Sequence, residues 1–394
     1  MVPNGWKLGV ISDLADTVMG YAFKSADFTK AGIPLLRMGN LYQNTLSFDR
    51  NPIYLPKSFK KNYERFLVKP NDLVMSMTGT MGKRDYGFTV KIPTDAPYSL
   101  LNQRVIKFVP KHESSSGFLL NLLRSEIILS RLYAIPGGTK QANLSAKQIQ
   151  ELPAPIPPLP EQRKIATILG TWDKAISTTE RLIDNSKQQK KALMQQLLTG
   201  KKRLLDDSGK PFEGEWEHLH LSDIAKIKKG KALSSKDLEV GEYPVIAGGK
   251  TSPYKHSSYT HEKVITVSAS GAYAGFVAYH KQKIWASDCS VIEEKQCSDI
   301  QFIYQYLLLN QAKIYSFQSG GPQPHIHPKD IEVLKVNLPE IKEQQKIAFV
   351  LSNADKEIEL LEQQLADLKQ EKKALMQQLL TGKRRVKLDD KEIA

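Results

Sequence analysis

Residues 187–203 read KQQKKALMQQLLTGKKR, and residues 369–385 read KQEKKALMQQLLTGKRR. The two stretches differ at two of seventeen positions and stand 182 residues apart, so the chain reads as a duplication. The same offset aligns Glu161-Gln162-Arg163-Lys164-Ile165-Ala166 with Glu343-Gln344-Gln345-Lys346-Ile347-Ala348, with no residue inserted along the segment. A helix pair of fixed length is expected.

Upstream the repeat continues with drifting offsets, as it does when loops are longer in one copy. Trp6 and Ser12-Asp13-Leu14-Ala15 match Trp216 and Ser222-Asp223-Ile224-Ala225, and Pro34-Leu35-Leu36 matches Pro244-Val245-Ile246. Ser76-Met77-Thr78-Gly79 matches Ser268-Ala269-Ser270-Gly271, and Phe118-Leu119 matches Phe302-Ile303. The expected organisation is a globular domain at 1–152, a long helix at 153–203, a linker at 204–215, a second domain at 216–337, a second long helix at 338–385 and a tail at 386–394.

In the second long helix, Ile347, Leu351, Ala354, Ile358, Leu361, Leu365, Leu368, Leu375 and Leu379 follow alternating steps of four and three, broken by Lys372. The first carries Ile165, Leu169, Trp172, Ile176, Ile183, Leu193 and Leu197, broken by Thr179, Ser186 and Lys190. Pro158 and Pro160 stand where a helix starts, and Gly200 and Gly382 where one ends. A helix of about 40 residues is ~60 Å long, too long to lie on one small domain. These seams are expected to pair with each other, antiparallel about a pseudo-twofold axis; packing on the chain's own domain or on another chain is the alternative.

Within the domains, short runs such as 73–77, 105–109, 264–267 and 275–279 are β-branched and aromatic, punctuated by Gly, Pro and Asn. A mixed α+β fold with a substantial sheet is expected, its strand order unreadable. The apolar stretch 118–133 is interrupted by Arg124, Glu126 and Arg131, too costly for a bilayer span, and reads as a core helix.

Fifty-six basic against forty-two acidic residues give a formal net charge of +14, which favours a polyanionic partner, nucleic acid first. Two cysteines, Cys289 and Cys297, are too few for a disulfide framework and suggest a reducing compartment. The amino terminus lacks a basic region followed by an apolar run, so no signal peptide and a cytoplasmic location are expected.

Catalytic motifs are weak. The Pro157-Pro158 pair, between Ile156 and Leu159, has a helix-start context and not the Asn/Asp-Pro-Pro-aromatic form that holds a flipped adenine. Gly79-Thr80-Met81-Gly82-Lys83-Arg84 resembles part of a phosphate loop, but the spacing is short and no Ser or Thr follows the lysine. Asp288, Glu293 and Lys295 have the spacing of a metal-dependent nuclease set, which is common by chance. His218-x-His220 and His325-x-His327 lack further ligands at metal spacing, so no metal site is expected.

Signals for DNA contact collect in loops that join cations to amide side chains. In the first copy these are Arg37 and Asn40, then Thr80, Lys83, Arg84 and Tyr86, then the loop 137–143 with Lys140, Gln141 and Asn143. In the second copy Lys250, Tyr254, Lys255, Tyr273, Gln323 and His325 occupy comparable stretches. Cations suit phosphates and guanine edges, and Asn and Gln suit adenine edges.

Two variable domains separated by near-identical helices resemble the specificity subunits of type I restriction-modification systems. The resemblance covers essentially the whole chain. It is carried by the Pro-rich run with Glu-Gln and Lys-Ile-Ala before each helix (152–166 and 338–348) and by Leu-Leu-Thr-Gly-Lys after it. Pro-Leu-Pro-Glu-Gln is its most specific piece, and the second copy departs from it as Leu338-Pro339-Glu340-Ile341-Lys342-Glu343-Gln344. The resemblance implies a non-catalytic, cofactor-free chain whose domains each read half of a bipartite DNA site. Its helices would act as spacer and docking surface for two methyltransferase subunits and for restriction subunits, which use S-adenosylmethionine, ATP and Mg. The alternatives are a stand-alone nuclease using Asp288, Glu293 and Lys295, and a coiled-coil scaffold that binds protein.

Overall fold

The computed structural model describes residues 2–135, 140–234, 236–249 and 254–388. The chain divides into two compact units, residues 1–178 with 365–394 and residues 179–364. Each long helix therefore gives one part to each unit.

In the first unit an antiparallel sheet has the strand order Ala15–Met19, Val105–Pro110, Leu73–Ser76, Thr89–Lys91. Leu73, Met75, Ile106 and Phe108 alternate along their strands and are almost wholly buried, together with Phe118, Leu119 and Leu122. A second, smaller sheet joins Tyr54–Leu55, Ile33–Leu36, Ser99–Leu101 and Leu67–Val68, with Ile33–Leu36 and Ser99–Leu101 parallel. Its apolar residues Ile33, Leu35, Leu55 and Leu100 make a separate cluster. Two short ribbons complete the unit: Lys7–Val10 with Pro153–Ile156, and Thr78–Thr80 with Gln141–Asn143.

The second unit repeats the plan. Its main sheet runs Ala225–Lys229, Cys289–Glu294, Val264–Ser268, Val277–His280. Tyr243–Ile246 is parallel to Trp285–Ala286, and Glu217–His220 pairs with Lys335–Leu338. The fold is thus the duplicated α+β arrangement expected, with the predicted strands present. The stretch 118–133 departs from expectation, being two helices, Ser116–Leu123 and Glu126–Tyr133. The break lies at Arg124, whose Nε and Nη2 turn inward to the carbonyls of Thr89 and Asn44, while Ser125 Oγ takes the Leu122 carbonyl.

The long helices are Leu159–Leu197 and Ile341–Leu379, 39 residues each. They are shorter than the expected 153–203 and 338–385 because 153–156 and 335–338 pair as strands first. Gly200 and Gly382 follow in the left-handed region, φ 73° and 69°, and backbone bonds from Lys202 to Gln196 and from Arg384 to Gln378 close the ends. Within the first unit Ile165 and Leu169 join Leu379 and Leu380 in the core; within the second Leu197 joins Ile347 and Leu351. Ile183 is also buried, whereas Trp172, Ile176, Leu193, Ala354, Ile358, Leu361, Leu365, Leu368 and Leu375 are half-buried, as befits a two-helix seam.

The seam breakers acquire a reason. Lys190 Nζ lies 2.5 Å from Asp355, and Lys372 Nζ 2.6 Å from Asp173, each lysine side chain about a tenth exposed. Both contacts join one long helix to the other, and with Lys187–Glu362 they run in opposite chain directions, so within each unit the pairing is antiparallel.

The Glu-Gln motif is explained the same way. Glu161 receives Trp6 Nε1 at 3.1 Å and Arg385 Nε at 2.8 Å; Glu343 receives Trp216 Nε1 at 3.2 Å and Arg203 Nε at 2.7 Å. The adjoining glutamine faces its own domain: Gln162 accepts from Ser115 N and donates to the Pro157 carbonyl, and Gln344 accepts from Asp299 N and donates to that of Pro339. Trp, Glu-Gln and the Arg beyond the other helix's terminal Gly thus form one clasp, built twice.

Candidate nucleic-acid interface

In the first unit the ribbon of Thr78–Thr80 and Gln141–Asn143 carries most of the expected contacts. Thr80, Lys140, Gln141 and Asn143 are exposed on it, and Met81 N donates to the Lys140 carbonyl. The loop after Thr80 is closed by Asp85, whose Oδ1 accepts from Thr80 N at 2.7 Å, leaving Lys83 and Arg84 on the surface. Arg84 already pairs with Glu126 at 3.0 Å and lies over the Tyr133 ring. With side chains 62% and 44% exposed, that pair is worth little and a phosphate could displace the carboxylate. Thr78–Thr80 leads into this turn and not into a helix, so the partial phosphate-loop pattern has no helix amino terminus behind it.

Two expected residues are corrected. Asn40 is buried and spent on its own loop: Oδ1 accepts from Arg37 N, and Nδ2 donates to the Ser47 and Arg50 carbonyls. Tyr86 is buried against Tyr133, whose hydroxyl donates to the Tyr86 carbonyl. Each braces the backbone that presents its neighbours. Arg37 stays half-exposed, and the carbonyl of the preceding Leu36 accepts from Asn102 N, setting it beside the turn 102–104.

That turn holds a residue the sequence reading missed. Arg104 is exposed and reaches the ribbon, with Nη1 bonded to Asn143 Oδ1 and 3.4 Å from Thr78 Oγ1. The run Asn102-Gln103-Arg104 carries the amide-plus-cation composition used elsewhere as a signal.

In the second unit the corresponding ribbon shrinks to a bridge between Ser270 and His325. Tyr273 and Gln323 are exposed and His325 half-exposed near it. Tyr254 and Lys255 are exposed, but Lys255 belongs to the smaller sheet, where it pairs with Pro244, and Tyr254 directly precedes that strand. Lys250 lies outside the described residues, as do Gly137, Gly138 and Thr139 of the first unit's loop.

The nuclease set is not brought together. Asp288 lies in the bend before the strand Cys289–Glu294 and its Oδ2 accepts from Ser270 Oγ, whereas Glu293 is on the strand itself. Lys295 Nζ is taken by the Ser222 carbonyl at 2.6 Å. The paired histidines are likewise occupied, His218 with Asn337 and His220 with the Val333 carbonyl. Among the described residues no group of three His, Cys, Asp or Glu side chains could hold a metal ion, and no helix is long and apolar enough to cross a membrane.

Two repeated units, the first with a basic and amide-rich ribbon and the second with Tyr273, Gln323 and His325 about the equivalent bridge, define a two-part DNA-recognition protein built on long shared helices. The family profile described as the type I restriction modification DNA specificity domain matches residues 3–186 and 213–370. The chain belongs to that family, the specificity subunits of type I restriction-modification systems, whose part is DNA recognition rather than catalysis.

A Methanocaldococcus jannaschii protein assigned by name to the MjaX type I restriction enzyme specificity subunit is 26% identical over 98% of this chain and 95% of its own length. The MjaVIII specificity subunit of the same organism is 28% identical over 64% of this chain and 66% of its own. Among solved structures, the S subunit from M. genitalium superposes with a TM-score of 0.67 at 18% identity, covering 96% of this chain and 98% of the other. A chain from a study of type I complex assembly and conformational transition gives 0.57 at 16%, covering 98% and 100%. These likenesses show the fold.

Proposed function

We propose that each unit reads one half of a bipartite, asymmetric DNA target. The long helices set the gap between the halves and dock two methyltransferase subunits and the restriction subunits. Those partners bring S-adenosylmethionine, ATP and Mg, and this chain uses no cofactor of its own. The complex works in the cytoplasm, where Cys289 and Cys297 stay reduced. The observation that carries the reading is one position on the shared backbone plan, a ribbon of Thr78–Thr80 with Gln141–Asn143 in the first unit and the bridge Ser270–His325 in the second, about which the exposed residues differ. Shared scaffold with different side chains is what two different half-sites require. The excess of fourteen positive charges supplies phosphate attraction without sequence information.

The test is to map methylated adenines genome-wide in cells with and without this chain, then with residues 1–152 replaced by the equivalent domain of a relative. One half of the motif should change and the other persist. A motif altered in both halves would defeat the modular reading, and an unchanged methylome on deleting the chain would defeat the function itself.

A further inference from the structure

We infer that Arg104 and Asp288 are base-reading residues at one equivalent position of the two units, Arg104 recognising a guanine in one half-site and Asp288 the amino group of a cytosine in the other. This deepens the DNA-reading role proposed above and rests on it.

The equivalence comes from hydrogen bonding, and the offset that matches Phe118-Leu119 to Phe302-Ile303 also sets Arg104 on Asp288. Val105 pairs with Ser76 and Cys289 with Ser268, and Ser76 and Ser268 are the matched residues of the repeat. One residue earlier, the Arg104 carbonyl accepts from Met77 N at 3.0 Å and the Asp288 carbonyl from Ala269 N at 3.1 Å. The position is therefore fixed to the same point of the same strand in both units.

The side chains are also oriented alike. Arg104 is steered by Thr78 Oγ1 and Asn143 Oδ1, and Asp288 Oδ2 accepts from Ser270 Oγ. Thr78 and Ser270 are matched residues, and Asn143 and His325 face them across the ribbon. Each functional group is thus held on one side and open on the other. Arg104 has five N–H donors and spends two bonds; Asp288 Oδ1 has no partner among the described residues.

Their chemistry is opposite in sense. A guanidinium donates to guanine O6 and N7, whereas a carboxylate accepts from cytosine N4. Asp288, which fits no metal set, thereby acquires a use, and one shared position carries opposite charge in the two units.

The experiment uses the full chain assembled with its modification subunits on a library of targets with each half-site randomised. Arg104→Gln should relax one base pair of one half-site, and Asp288→Asn one base pair of the other, each by about 5- to 150-fold in preference over the competing bases. Thr78→Val and Ser270→Ala, which keep the reading groups but free them, should blunt the same two positions by less. Thermal melting and assembly with the partner subunits are measured on every variant, so that loss of folding is separated from loss of reading. A motif unchanged in both variants, a uniform loss across all sequences, or a change in the same half-site from both would overturn the inference. An unmodified chain that directs no bipartite methylation would instead overturn the function on which it rests.

Discussion

Glu343 is wholly buried, and a carboxylate in that setting is tolerable only because Arg203 presents two nitrogens to it at 2.7 and 2.8 Å and Trp216 adds a third donor. Removing the cation leaves the charge stranded. Arg203→Met is expected to destabilise the second unit by about 3 kcal/mol or more. Arg385→Met should cost a similar amount, because the carboxylate it strands, Glu161, is itself only 6% exposed. Denaturant unfolding with segment-resolved hydrogen exchange reads both, and a loss below about 1 kcal/mol, as for an exposed ion pair, would refute the role of burial.

His280 gives a pH signature in the same unit. Burial against Thr266 pulls its pKa from 6.5 down to about 4, so the folded chain holds it neutral where the unfolded chain would protonate it. Its contribution is whole above pH ~6.5, declines as pH falls towards 4 and changes no further below, a loss of about 3 kcal/mol. His280→Gln should flatten the stability profile over that window. An unaltered slope would assign the acid sensitivity to other groups.

At the scale of elements, the buried lysines of the long helices decide more than stability. A leucine at Lys190 and Lys372 would complete each apolar seam, and the aspartates left behind are 44% and 40% exposed, so little is lost by unpairing them. Polar groups at such seam positions are best known for fixing register. The double variant Lys190→Leu, Lys372→Leu is therefore expected to melt no lower than the parent while accepting a broader range of gaps between half-sites. Methylation across a library of spacer lengths measures this. A melting temperature several degrees lower with an unchanged gap would make the pairs ordinary stabilising contacts.

The lack of any insertion between residues 157–203 and 339–385 argues, for the whole molecule, that the helices act as a ruler. One heptad added after Ser186 and one after Leu368 keeps the seam of each helix in phase and leaves Lys190 opposite Asp355 and Lys372 opposite Asp173. The added length is ~10 Å at about 1.5 Å per residue. At ~3.4 Å per base pair the preferred gap should grow by about three pairs, with a duplex rotation of roughly 100° given ~10.5 pairs per turn. Some activity is expected to be lost to that rotation. Undiminished activity at the original gap would show that something else sets the distance.

The sequence by itself determined the duplication, the two long helices with their glycine ends, the strands at 73–76, 105–110, 264–268 and 277–280, and the DNA-reading class of the chain. These are legible because periodicity, capping and repetition are local properties that neighbouring residues write together. The tertiary structure alone decided which polar residues are free to read. Asn40 and Tyr86 look like contacts in sequence but are consumed by loop carbonyls and a neighbouring ring, and Lys372 looks like a flaw until Asp173 is found across from it. Strand pairing with the matched serines is what sets Arg104 and Asp288 at one position. Exposure and partnership depend on residues far apart in the chain, and only folding brings those into contact.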